Sequence, residues 1–253
     1  MDKIDLIKRG SKTAKDGFIN EQDVIDRFNA WKKDEVAQEW LIAMNYDVPD
    51  IEYVNATKVH GQYKADIQVK IRILIKLKSQ EDIQNIQVKL VSNPQGFNQV
   101  DKRWVSKYVE LWNIPEDLTE ILKFFTGELK STKKNLKDPR RVLLSEMDES
   151  IQNKIINFFE NNKILIVSDI LKGRGEFSAD WMLVILKING ESKWVLKSIN
   201  EAMNVFGGGK IRITNQGSLK IGKIGMQRKG GDNGRDTANM LQFKINPIDL
   251  FNT

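Results

Sequence analysis

The chain has 253 residues, 40% of them hydrophobic and 29% charged, with 40 basic against 34 acidic side chains and a net charge of +6. It contains no cysteine and one histidine, which excludes disulfide frameworks, thiolate metal sites and multi-histidine zinc chemistry. No apolar run approaches the ~18 residues of a membrane span, and the opening MDKIDLIKRG lacks the apolar region of a secretory signal, so a cytoplasmic protein is expected.

In chain order, Asn20 is placed to cap a helix starting at Glu21, with Val24, Ile25, Phe28 and Trp31 on one apolar face. A second helix is expected over Glu35 to Met44. His60 beside Gly61 reads as a loop residue, and no Gly-x-Ser-x-Gly elbow supports a Ser-His-Asp triad through it. Tyr63 to Leu77 is strand-like, with Asp66, Gln68, Lys70 and Arg72 alternating with apolar residues. Ser79 to Asp82 is expected to turn the chain. Asn85 to Ser92 then repeats the period of two and places Gln87 and Lys89 on one face.

Antiparallel pairing of these two strands brings Asp66 to Gln87 if the register allows. A carboxylate, an amide oxygen and an ammonium at one sheet edge are the groups that metal-assisted phosphodiester cleavage needs. The oxygens of Asp66 and Gln87, with the carbonyl of Val88, suit Mg²⁺, a hard cation. Lys89 would steady the attacking water or the charge developing on phosphorus. An ordinary amphipathic strand carries the same pattern, and Gln-x-Lys recurs at Gln68–Lys70 and Gln242–Lys244, so the spacing alone does not select a site.

Ser92 to Gln99 has turn chemistry, with Phe97 the apolar residue in a polar loop. It is either a lid on the core or a wedge that enters a base step while neighbouring amides meet base edges. Helices are expected over Val100 to Trp112, Glu116 to Phe125, Glu149 to Phe159 and Ile199 to Phe206, and strands over Ile164 to Val167, Trp181 to Ile188 and Trp194 to Leu196. From Lys210 onward the chain is β-like. Charge is sorted along it: residues 123–141 carry a net +5, residues 208–244 a net +6, and the remainder −5. Two such segments are either an electrostatic footprint for a polyanion or two solvated loops. The stretch from Gln227 to Lys244 is rich in glycine, Arg, Asn, Gln and Lys, residue types that hold phosphates and read base edges.

Five blocks in order resemble the HinP-type restriction endonucleases: Lys12 to Phe18, Asn85 to Asn93, Gly96 to Gln99, Phe125 to Leu129 and Gln227 to Ile245. The resemblance implies an α/β fold, a mixed sheet flanked by helices with a PD-(D/E)xK core and a carboxy-terminal β-rich DNA-reading region. It implies a single endonuclease domain over 1–253, with a catalytic core to approximately residue 125. It further implies a Mg²⁺-dependent type II enzyme that cuts double-stranded DNA at GCGC after the first G, leaving a two-base CG overhang.

The family's metal-binding aspartate falls on Asp66 and its Gln-x-Lys on Gln87 and Lys89. Its intercalating phenylalanine falls on Phe97, its recognition glutamine on Gln99, and Glu21 is the expected additional acid. Asn98, Arg228, Lys229, Asp232, Asn233, Arg235, Asn239, Gln242 and Lys244 are expected DNA contacts. The expected Pro-Asp is here Ala65-Asp66. The partners implied are duplex DNA and, functionally, a cognate methyltransferase in a prokaryotic host. No membrane association is expected, and the enzyme would be a monomer or weak homodimer. A non-catalytic DNA-binding protein and a structure-specific repair nuclease are the competing readings.

Overall fold

The computed structural model describes residues 20–75, 78–93, 95–231 and 235–252. Its strands are β1 (Ile51–Lys58), β2 (Ile67–Ile75), β3 (Lys78–Val91), β4 (Asn98–Arg103), β5 (Trp181–Ile188), β6 (Glu191–Ser198), β7 (Ile211–Ile213), β8 (Leu219–Ile221), β9 (Ile224–Arg228) and β10 (Leu241–Ile245). Its helices are α1 (residues 20–29), α2 (Glu35–Ala43), α3 (Val105–Trp112), α4 (Glu116–Thr126), α5 (Glu149–Asn161), α6 (Lys163–Leu171) and α7 (Ile199–Gly207). The chain divides into two compact units.

The described residues of Met1–Gly96, Leu171–Ala202 and Pro247–Thr253 form the first unit. It holds a five-stranded mixed sheet of order β1-β2-β3-β5-β6. Only β3 and β5 run parallel within it; its other neighbours are antiparallel. The alternation read from the sequence sets the faces. Ile67, Val69, Ile71 and Ile86 are fully buried and pack with Val24, Phe28, Trp40 and Leu41 of α1 and α2. Each such side chain contributes about 1.5–3 kcal/mol on burial. Asp34 caps α2, its carboxylate accepting the Ala37 N–H at 3.0 Å.

The polar run Ser79 to Asp82 is not the turn the sequence suggested; it continues β3 antiparallel to β2. These polar side chains have cross-strand partners, which a local reading cannot see. Arg72 pairs with Glu81, the Tyr53 hydroxyl donates to Glu81 at 2.9 Å, and the Tyr46 hydroxyl donates to Asp82.

The second unit comprises Phe97–Ile170 and Met203–Asn246. Its five-stranded sheet has the order β4-β10-β9-β8-β7 and is antiparallel throughout. One face is the core: Leu241, Phe243, Ile245, Met226, Ile224, Leu219 and Ile221 are fully buried. The ring of Phe243 meets Tyr108 and Trp112 edge-on at 5.4 and 5.7 Å. Tyr108 donates its hydroxyl to Asp101 at 2.5 Å, and burial, with the Asp101 charge, pushes its phenol far above the ordinary range.

Two expectations fail here. Val100 to Arg103 belongs to β4 and not to a helix, because β10, far along the sequence, supplies its hydrogen-bond partners. Ile164 to Val167 lies in helix α6 and not in a strand. A short apolar run is ambiguous by itself. The burial of Ile166, Val167, Ile170 and Leu171 has helical spacing, and Asp169 accepts the Trp112 indole N–H at 2.9 Å.

Candidate active site and nucleic-acid interface

In the first unit, β3 outruns β2. Their pairing ends at Ile67↔Ile86, while β3 continues to Val91 beside β5. Asp66, the residue before β2, stands at the edge this leaves open. Its N–H donates to the Ile86 carbonyl at 2.9 Å, and its Oδ2 accepts the Val88 N–H at 2.7 Å. The carboxylate thus takes over the ladder where β2 stops. Lys89 Nζ lies 3.9 Å from the same Oδ2, and only 13% of its side chain is exposed. In a strand, the N–H and C=O of one residue point the same way, so the Val88 carbonyl faces the edge that Asp66 occupies.

Gln87 is 2% exposed. Its Nε2 donates to the Lys64 carbonyl at 3.2 Å, which fixes the sense of the amide, and its buried Oε1 has no hydrogen-bond partner among the described residues. A buried acceptor without a donor costs about 1–3 kcal/mol unless something else satisfies it. The orphaned amide oxygen, the Asp66 carboxylate and the Val88 carbonyl are oxygen donors of the kind that fit a hard divalent cation. No group of three or more His, Cys, Asp or Glu side chains arranged for a metal occurs among the described residues, so such an ion would rely on one carboxylate together with amide and carbonyl oxygens.

Two flanking segments steady this edge. The Asn85 N–H donates to the Asp180 carboxylate at 2.9 Å, and its side-chain amide donates to the Glu176 carbonyl at 2.8 Å. Glu21 on α1 forms an ion pair with Lys58 at 2.6 Å, and Lys58 is the cross-strand neighbour of Ile67. The acid is therefore held beside the strand end that carries Asp66, with its charge matched by a lysine. His60 is an exposed loop residue, as expected.

In the second unit, the face of the sheet opposite the core carries a polar array. Register places Gln99 beside Lys244, and Lys102 beside Gln242 with Gln227 on its other side. Gly225, Lys220 and Arg212 continue the same row across β9, β8 and β7. Phe97 is 52% exposed, not a core lid, and Lys220 Nζ sits 4.9 Å from its ring centroid. Burial pulls the Lys244 ammonium below its ordinary range.

The remaining expected contacts differ in kind. Arg228 donates through Nε to the Thr126 carbonyl at 2.9 Å and through Nη2 to Asn239 Oδ1 at 2.8 Å. Desolvation, and then the nearby Arg140 and Arg141, push the Arg228 guanidinium below its usual range. Gln242 is 2% exposed, and its Nε2 has no partner among the described residues. Arg235 is exposed, Asn98 and Lys229 are partly buried, and Asp232 and Asn233 lie outside the described residues.

A family model described as R.HinP1I restriction endonuclease matches residues 44–251. The chain belongs to this family. A crystal structure of the restriction endonuclease MspI in complex with its cognate DNA is similar in fold, with a TM-score of 0.61 and 15% identity, covering 89% of this chain and 87% of that one. Comparison with curated proteins gave no match. The protein is thus of type II restriction endonuclease family and fold, a nuclease, and its two sheets flanked by helices are the mixed α/β architecture expected. No described helix is long and apolar enough to cross a membrane. For this endonuclease, sequence reasoning missed Lys102, Gln227 and Lys220 as members of one face. Only Lys220, between Leu219 and Ile221, shows a local alternation; Lys102 lies in a run expected to be helical, and the alignment of all three depends on cross-strand register.

Proposed function

We propose that this endonuclease hydrolyses duplex DNA with Mg²⁺ at GCGC, cutting after the first G to leave a two-base 5′ CG overhang. The observation that supports this most is the meeting of Asp66, Gln87 and Lys89 at the open edge of β3, with the Gln87 oxygen presented and unpaired. Mg²⁺, when bound, supplies Lewis acidity toward a phosphate oxygen and toward a water. Asp66 and Gln87 contribute oxygen donors. Asp66 also orients Lys89, whose ammonium steadies negative charge as the water oxygen bonds to phosphorus and one ester P–O bond breaks. Glu21 is the additional acid beside this edge.

We read the polar face of the second sheet as the DNA-reading surface. There Phe97 is the wedge, Gln99 reads base edges with Gln242 buried in the same face, and Asn98, Lys229, Arg235 and Lys244 are further contacts; Asp232 and Asn233, outside the described residues, are proposed as contacts on the family resemblance alone. Arg228 and Asn239 brace this surface and reach DNA at its rim. The enzyme would act in a prokaryotic cytoplasm as a monomer or weak homodimer, as one endonuclease domain, beside a cognate methyltransferase.

The test is digestion of a plasmid of known sequence with Mg²⁺ and with EDTA, followed by sequencing of the ends. Discrete fragments ending at GCGC are expected. Binding without cleavage would favour a non-catalytic DNA-binding protein, and heterogeneous ends would favour a structure-specific nuclease.

A further inference from the structure

The row of residues across the second sheet contains a gap. Lys244 on β10 and Lys220 on β8 are both cross-strand neighbours of Gly225 on β9. Their Cα atoms are therefore two strand spacings apart, about 9–10 Å. Glycine weakens a strand interior and marks a place where something approaches the backbone closely. Gly225 has ordinary strand geometry, so no positive φ demands a glycine. A Cβ added there would lie 3.4 Å from Lys220 Nζ. The Lys220 ammonium thus leans over the bare backbone of β9, toward β10.

The two lysines are held differently. Lys220 Nζ contacts the Lys223 carbonyl at 3.5 Å and the face of the Phe97 ring at 4.9 Å, so its position is set. Lys244 is half buried between Gln99 and Gly225, with burial as the cause of its lowered ammonium pKa. The strand ladder holds the Lys244 backbone, but no side-chain hydrogen bond or ion pair to a described residue holds its ammonium. On the reverse face, Leu241, Phe243 and Ile245 are fully buried, which fixes the strand beneath it.

We propose that Lys220, Gly225 and Lys244 form a seat for one phosphodiester group of the DNA backbone, beside the base step that Phe97 enters. This rests on the DNA-reading role proposed for the face and assigns Lys244 to phosphate rather than to a base. A phosphate set over the glycine satisfies the partly desolvated ammonium of Lys244 on one side and meets Lys220 on the other. Lys220 then links the held phosphate to the ring that opens the adjacent step. Charge neutralised beside an opened step lowers the cost of the bend on which a wedge depends.

The experiment measures binding of a GCGC duplex without divalent metal, as a function of salt. It is run on the wild type and on Lys244→Gln, Lys244→Arg, Lys220→Gln and Gly225→Val, each checked for folding by thermal melting. A parallel scan replaces single phosphates by neutral methylphosphonates. Because the two lysines share one phosphate, each Gln variant is expected to lower the slope of log K against log salt by up to about 0.9, with base preference unchanged, and Lys244→Arg to keep the wild-type slope. Gly225→Val, which fills the seat with a good strand former, is expected to weaken binding without removing a charge. One methylphosphonate position is expected to weaken the wild type and leave Lys244→Gln unaffected. The seat is overturned if Lys244→Gln keeps the wild-type slope and the full methylphosphonate pattern, or if its main effect is altered base preference. Failure of the wild type to bind duplex DNA would instead remove the DNA-reading role, and the seat with it.

Discussion

Asp66 has two separable tasks, and a pair of substitutions distinguishes them. Its Oδ2 closes the β3 ladder at Val88 N–H, 2.7 Å away, and the carboxylate is proposed as the anionic donor to Mg²⁺. Asp66→Ala removes both. Val88 is 8% exposed, so its N–H loses a charge-assisted bond in a place with little water. Such a loss costs about 2–3 kcal/mol. Asp66→Asn keeps an oxygen that can accept the same N–H and loses only the charge-assisted part, about 1 kcal/mol. The gap of about 1–2 kcal/mol corresponds to roughly 2–8 °C in Tm for a chain of this size. Thermal melting without metal reads the structural task, and plasmid nicking over a Mg²⁺ titration reads the catalytic one. Both variants are expected to lose metal-dependent cleavage, with the Asn variant clearly the more stable. Equal melting temperatures would refute the ladder role, and an Asn variant that cuts at the wild-type rate would refute the metal role.

Lys89→Ala is expected to abolish cleavage while leaving duplex affinity within a few-fold of wild type, since one ammonium acts on the transition state and adds little to a many-contact ground state; gel-shift and cleavage assays on one preparation check this. Phe97→Ala is expected to weaken binding to GCGC duplexes more than to non-specific DNA and to reduce the 2-aminopurine signal of an opened step, whereas Gln99→Ala should relax sequence choice; an unchanged signal in Phe97→Ala counts against the wedge. Neutralising Lys133, Lys134 and Lys137 together is expected to flatten the salt dependence of binding by up to about 0.9 per lost phosphate contact, with the preferred sequence unchanged. Asp138, whose carboxyl Arg140 holds down at about 2, stabilises the fold above the ordinary carboxylate range, and this contribution is lost as pH falls toward 2. Asp138→Asn should therefore show a smaller loss of stability than wild type between pH 4 and 2, read by urea titration at each pH.

The parts of the fold legible in the sequence were those with a clean local period. β2, the second half of β3, and α2, α4 and α5 stand where alternation or helical spacing put them. The convergence of Asp66 on the Gln87 strand depended on register, which the pairing Ile67↔Ile86 supplies. Ser79 to Asp82 misled because polar residues on a solvated strand face resemble a turn when their partners, Arg72, Tyr53 and Tyr46, are out of view. The run at Ile164 misled because a short apolar stretch has no intrinsic preference strong enough to resist its tertiary partners, and Val100 to Arg103 misled because its strand partner β10 lies far along the sequence. The orphaned Gln87 oxygen and the gap at Gly225 had no sequence signal, because each depends on what an unrelated segment places beside it.

The 14-residue strand β3 draws its neighbours from both directions along the chain. Its first part pairs with β2, made just before it, but Gln87 and Lys89 lie alongside Met182 and Val184, about 95 residues later. Asn85, at the threshold, is held by Asp180. During synthesis, a chain that ends before residue 180 therefore has all the side chains proposed for cleavage but lacks the strand that sets them in place. At a rate of about 5–20 residues per second, the 95 residues from Gln87 to Met182 take roughly 5–20 s to make. If these side chains carry the cleavage, assembly by a late strand ties cutting to the finished fold, and chains ending before β5 are expected not to cut.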